Sequence, residues 1–249
     1  MIKVISKAFV FTTLSLLVTS SSAFAAAEAE KEILKAQAAN PDVINCYKEL
    51  KEAALNLGSE NAITDTATLK ADVEGYYRGQ FGEEYKKKNN GTAFAALDSH
   101  VNAIDSAQMA AQYYYIAKNS NPLGSKQKMD KSDDKSKYSE IHAKCHPKTR
   151  ATLDENGLYD IFFFDDATGR VFYTVYKELD FFGIVKSGPN AGSGLGQVYQ
   201  KAQAAKQGEV VESSVDKYGF SYDVLALFIS TPVYDGATRI GTMAYQVNP

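Results

Sequence analysis

The sequence predicts an α+β protein, a helical layer followed by an aromatic-rich sheet. Apolar residues recur at helical spacing across residues 43–116. From Tyr159 onward the pattern changes to short aromatic and β-branched runs separated by Asp/Gly turns, the signature of strands. A single helical stretch, 193–206, interrupts those runs, so helices and strands segregate along the chain instead of alternating.

The first 25 residues read as a secretory leader. Lys3 and Lys7 supply positive charge, Ala8 to Val18 an apolar core, and Ser22-Ala23-Phe24-Ala25 the small residues before a cut after Ala25. The apolar core is shorter than a membrane span, and an uncleaved anchor is the alternative. The expected location is periplasmic or secreted. The next units are a helical region, 26–157, and a sheet domain, 158–249, packed together as one unit. No segment after the leader has the length of a membrane helix. A formal net charge of -3, about -5 once Lys3 and Lys7 are removed, offers no basic footprint for nucleic acid.

Export gives the two cysteines meaning. Cys46 and Cys145 are an even pair in an oxidising compartment and are expected to pair. The bridge would close a loop of roughly a hundred residues, worth on the order of 4–5 kcal/mol in the chain-entropy model. Two free thiols are the alternative.

Ala26 to Leu57 is rich in Ala, Glu and Lys, with Pro41 as a break and Gly58 as a stop. Asp65 or Thr66 can cap a second helix carrying Leu69, Val73, Tyr76, Tyr77 and Phe81. The Lys86-Lys87-Lys88 run closes it as a solvated C-terminus. A third helix is expected over Phe94 to Lys118, and a polar surface loop over 119–137. Asp130, Ser132 and Asp134 alternate as in a calcium loop but lack its glycine and closing glutamate. A fourth helical region, 138–156, is expected to be interrupted by Pro147.

Strands are expected at 158–165, 170–177, 209–215, 222–233 and 239–247, the first two and last two joined as hairpins. Strict alternation puts Tyr173, Val175 and Lys177 on one face of the second strand and Phe172, Thr174 and Tyr176 on the other.

The order of these segments resembles the Cache family of extracytoplasmic sensor domains. Asn121-Pro122-Leu123-Gly124, the Tyr138-x-x-x-His142 helix, Tyr159-Asp160-Ile161-Phe162, Lys177-Glu178-Leu179-Asp180-Phe181, Ser193-Gly194-Leu195-Gly196 and Phe228-Ile229-Ser230-Thr231-Pro232 carry the resemblance, over residues 65–247. It implies a PAS-like, five-stranded antiparallel sheet with the N-terminal helices packed along it. Family members run on into a membrane helix and an output domain, whereas here the chain ends three residues after Gln246. The resemblance therefore implies a stand-alone, exported small-molecule-binding domain that presents its ligand state to a membrane sensor or transporter. A ligand-independent docking protein is the alternative. The segment Tyr218-Gly219-Phe220-Ser221-Tyr222 lacks the family's prolines, so no ligand class is carried over.

Catalysis finds no support in the motifs. No Gly-x-Ser-x-Gly, His-Glu-x-x-His or phosphate-loop pattern is present, and a non-enzyme without cofactor is expected. His142, Cys145 and His146 have metal-like spacing, but Cys145 is better used by Cys46 and no third ligand lies near in sequence, so no metal is assigned. Gly188 to Gly196 is glycine-rich and opens a helix, read as a loop over the sheet. The binding candidates are Tyr173, Lys177, Asp180, Tyr218, Tyr222 and Ser230. In this reading Lys177 and Asp180 meet a ligand's carboxylate and amine, Tyr218, Tyr222 and Ser230 close a polar rim, and a partly exposed Lys177 contributes little to folding. A surface ion pair between Lys177 and Asp180 is the alternative. The 16 Tyr suit both pocket walls and half-buried strands.

Overall fold

The computed structural model describes residues 28–61 and 66–248; the expected leader and the expected cap at Asp65 lie outside the described residues. Helix α1 (28–38) leads into α2 (Pro41–Ala54). Asn40 caps α2 by accepting the Asp42 amide at 2.9 Å. Pro41 occupies the first turn, where its missing N–H has no partner to lose, so it starts a helix as well as ending one. Gly58 is not a stop. α2 has already ended at Ala54, and Gly58 lies inside the short α3 (Leu57–Glu60), which turns Leu57 into the core while Leu55 faces solvent.

Helix α4 (Thr66–Tyr76), a π turn (Tyr77–Phe81) and α5 (Gly82–Lys88) run on without a break. The third expected helix is divided into α6 (Leu97–Ala103) and α7 (Ser106–Gln112), the latter continuing into a second π turn (Tyr113–Ala117). The division falls where Ile104 is extended and Asp105 caps α7, accepting the Gln108 amide at 2.8 Å while Arg170 pairs with its carboxylate at 2.5 Å.

Pro147 does not interrupt the fourth helix: α8 (Lys137–Asn156) passes through it. Tertiary anchors on both sides hold the backbone helical, with Cys145 crosslinked and the His146 and Arg150 side chains hydrogen-bonded to the preceding loop. That loop is also more than a surface connection. Asn119, Lys126, Ser132 and Ser136 are buried, and His142 and Arg150 hold its carbonyls at Asp130 and Gln127.

The sheet is antiparallel. β1 (Asp160–Asp165) and β2 (Arg170–Thr174) form one hairpin, β5 (Val224–Asp235) and β6 (Thr238–Val247) the other. Strand order is β2-β1-β6-β5-β3, with β3 (Val211–Glu212) on the outer edge of β5. β4 (Asp216–Tyr218) pairs with an earlier part of β5, so the sheet is five positions wide. The expected strand 209–215 is thus reduced to Val211–Glu212, and β4 starts beyond its end. Ser213 is the reason: its hydroxyl takes the Phe228 amide at 3.1 Å and its own amide bonds the Phe228 carbonyl at 2.9 Å.

Each face of the sheet has its own helical cover. Tyr47 of α2 places its ring 5.0 Å from both Phe163 and Phe172, donates its hydroxyl to the Phe164 carbonyl and accepts the Thr242 amide at 3.0 Å. The Cys46–Cys145 disulfide ties α2 to α8 on this side, with Cα atoms 5.8 Å apart. On the other face α9 (Gly194–Ala202) buries Leu195, Val198 and Tyr199 against Phe164 and its neighbours. The glycines opening α9 are steric necessities. A Cβ at Gly194 would stand 2.8 Å from the Phe228 ring, and one at Gly196 2.5 Å from the Ala191 carbonyl oxygen.

Strict alternation fails on β2. A bulge opposite Phe163/Phe164 leaves Phe172 without a register partner. Phe172 and Tyr173 therefore both place their rings against Phe163, at 6.1 and 4.9 Å, instead of on opposite faces.

A candidate ligand cavity at the exit of the second strand

β2 was expected to run to Lys177 but stops at Thr174, and what stops it builds the site. Asp160 sits at the start of β1, fully buried. One of its carboxylate oxygens accepts the amides of Val175 at 2.8 Å and Tyr176 at 3.1 Å, while the Val175 amide also reaches the Ile161 carbonyl at 3.2 Å, so the chain leaving β2 is pinned to the start of β1. Thr174 takes the Lys177 amide on its hydroxyl at 2.9 Å. Lys177 then turns into the left-handed region, φ 61°, uncommon outside glycine. From the helical layer, the Gln112 amide holds the Leu179 and Phe181 carbonyls, each at 2.9 Å, and Tyr77 orients Gln112 at 2.9 Å.

This pinned turn forms the floor of a cavity of about 210 Å³. Its walls are aromatic: Tyr76 and Phe81 from either end of the first π turn, Tyr159 and Tyr176 from the strand ends, Phe220 and Tyr222 from the turn after β4. Tyr159 stacks on Tyr176 with centroids 5.4 Å apart, and Phe81 on Tyr222 at 5.4 Å. Tyr222, like Lys177, is a non-glycine residue at φ 61°. Backbone strain of this kind collects at ligand sites, where the surrounding structure holds it in place. Lys126 from the 119–136 loop and Lys88 from the end of α5 complete the wall with Glu178. Lys88, expected to be merely solvated, lies 4.4 Å from the Tyr222 ring centroid.

From Glu178 on the wall a polar cluster runs behind the floor. Glu178 accepts from the Tyr159 hydroxyl at 3.2 Å and the Ser221 hydroxyl at 3.1 Å, and Gln246 donates to Ser221 at 3.1 Å. Tyr218 donates to Asp180 at 2.7 Å. Burial pushes the Asp180 carboxyl up to about 6. Burial, with Asp180 nearby, also raises Asp160, and burial together with Asp180 and Asp160 raises Glu178 well above the usual carboxylate range. Burial lowers Lys177, against the opposing pull of Asp160. Three carboxyls and one ammonium therefore share one low-dielectric region, which favours their neutral forms.

Of the residues picked from sequence, Lys177 and Tyr222 line the cavity, and Tyr218 and Asp180 stand together behind it. Tyr173 lies on the far side of Lys177, with the Lys177 ammonium 4.6 Å from its ring centroid. Ser230 is elsewhere: its hydroxyl donates to the Val198 carbonyl under α9 at 3.0 Å. Lys177 and Asp180 form neither a surface pair nor a clamp. Both are 1% exposed, the lysine donates to the Thr174 carbonyl, and no ion pair joins the two among the described residues. The partly exposed Lys177 on which the expectation of a small folding contribution rested is instead buried. Sequence reasoning missed Tyr76, Phe81, Tyr159, Tyr176, Phe220, Lys126 and Glu178. The helical residues among them carry only a core-spacing signal, and Lys126 lies in a polar stretch with no pattern.

His142 and His146 stack 4.3 Å apart between α8 and Tyr173. Both are held neutral, chiefly by burial. His142 donates Nδ1–H to the Asp130 carbonyl at 2.8 Å. His146 donates Nε2–H to the Gln127 carbonyl at 2.6 Å, leaving Nδ1 to accept from Tyr173 at 2.8 Å. Their hydrogen bonds thus fasten the 119–136 loop that carries Lys126 to the cavity. No group of three metal-ligating side chains occurs among the described residues.

No family model matches this chain, and no curated protein or solved structure is significantly similar to it.

Proposed function

We propose that the protein is a small-molecule-binding domain of the Cache type, whose ligand occupies the aromatic cavity at the exit of β2. The observation that carries this reading is the cavity itself: six aromatic side chains around 210 Å³, floored by a turn held in left-handed geometry at Lys177. Concave sites that combine aromatic walls with a few placed polar groups are a usual form of ligand pocket. The segment order quoted above supports the family assignment, as does an antiparallel sheet five positions wide with a helical layer along one face. The domain is exported and presents its loaded state to a membrane sensor or transporter. The Cys46–Cys145 bridge suits such a compartment, and no helix among the described residues is long and apolar enough to cross a membrane.

A thermal-shift screen of small acids, amines and nucleobases tests the reading. Binders are expected to raise the melting temperature of the wild type, and Tyr222→Ala is expected to abolish the shift. A broad library that stabilises nothing would remove the reading. The ligand-independent docking alternative draws on one feature, Leu55, 80% exposed beside a groove lined by Leu69, Ala107 and Met109.

A further inference from the structure

Lys126 is an unusual residue for a polar connecting segment. It is 3% exposed, its ammonium donates to the Asn119 carbonyl at 2.8 Å, and no carboxylate pairs with it among the described residues. Its Nζ lies 5.4 Å from the Tyr76 ring centroid, on the cavity wall. A buried ammonium with one neutral acceptor has unspent donors and an uncompensated charge. Lys88 stands at the same cavity over Tyr222, its closest acid being Glu84 at 4.0 Å.

The carboxyl on this wall does not offset them. Both oxygens of Glu178 already accept hydroxyl donors, from Tyr159 and Ser221. A cationic ligand would have to share those oxygens with the two hydroxyls, compete with Lys88 for the Tyr222 face and sit beside two lysines. An anionic ligand meets free donors instead. Size and wall chemistry narrow the class further. An apolar cavity of about 150 Å³ is known to hold benzene. The 210 Å³ here leaves room for one ring and one acidic substituent. The stacked pairs Tyr159–Tyr176 and Phe81–Tyr222 provide faces and edges on which a flat ring packs better than a puckered one.

We propose that the cavity takes a single-ring aromatic acid, its carboxylate held by Lys126 and Lys88 and its ring against the aromatic wall. This assignment rests on the ligand-binding reading above and adds the ligand's charge and shape.

The test uses benzoate, benzamide, benzylamine and cyclohexanecarboxylate, titrated calorimetrically into the mature oxidised protein. Benzoate is expected to bind at least tenfold more tightly than benzamide, with benzylamine weakest and cyclohexanecarboxylate weaker than benzoate. Lys126→Met is expected to erase the preference of benzoate over benzamide while leaving benzamide affinity within about twofold. Circular dichroism checks that this variant is folded. Should it not fold, Lys88→Met serves in its place: that side chain is about half exposed, and its loss is expected to weaken benzoate severalfold with an unchanged melting temperature. Benzamide or benzylamine matching benzoate would overturn the assignment, as would a folded Lys126→Met that binds benzoate unchanged. Inert benzoate alongside a different library binder in this cavity also overturns it but leaves the binding reading standing. A library with no binder of any kind removes both.

Discussion

Replacing Cys46 and Cys145 together by serine opens the crosslink between α2 and α8, and the cost follows from chain length. The two residues are 99 apart in sequence. In the chain-entropy model, releasing a loop of about that length restores unfolded-state freedom worth about 4.7 kcal/mol at 25 °C. That is a large share of the 5–15 kcal/mol typical of a folded domain. The native contacts around the bridge survive the change. Tyr47, next to Cys46, keeps its rings and hydrogen bonds on Phe163, Phe172 and Phe164, so the variant should fold and fail earlier in denaturant. Guanidinium titration followed by circular dichroism measures the difference. The midpoint should fall, and the slope should rise slightly because the opened chain exposes more surface on unfolding. Wild type treated with reductant should match the double serine variant. A loss below about 1 kcal/mol would refute the entropic reasoning, and two free thiols in exported protein would refute the bridge.

Two further outcomes follow from buried groups. Burial raises Asp180 from its ordinary 3.8 to about 6, so the folded state keeps this proton longer than the unfolded chain. The associated stability is present in full below pH 4 and lost as pH rises to about 6. Asp180→Asn, which can still accept from Tyr218, should therefore gain on wild type by about 3 kcal/mol between pH 4 and 7; a pH-independent difference in denaturation free energy would count against it. Gly241→Ala should cost about 3 kcal/mol or more, because its Cβ would stand 1.9 Å from the Tyr47 hydroxyl and 2.7 Å from the Phe164 carbonyl oxygen. A variant melting within a few degrees of wild type would show that α2 can move aside.

The features legible in the sequence were those written in local patterns. Aromatic runs and Asp/Gly turns placed both hairpins, helical spacing placed most of the helical layer, and an even cysteine count in a chain read as exported pointed to the bridge. Such signals need only neighbouring residues, because turn geometry and side-chain periodicity are properties of a few consecutive φ/ψ pairs. The tertiary structure decided the points at which one segment overrides another. Beyond Thr174 the chain leaves the strand where Asp160, on the neighbouring strand, takes the Val175 and Tyr176 amides on its carboxylate. The turn beyond it is held by Gln112, 67 residues from Leu179. Pro147 stays inside α8 because anchors on both sides outweigh its local preference. The cavity needed all of this. Its walls come from a π turn, a polar loop and two strand ends far apart in the chain, and no periodicity within any one of them encodes that they meet.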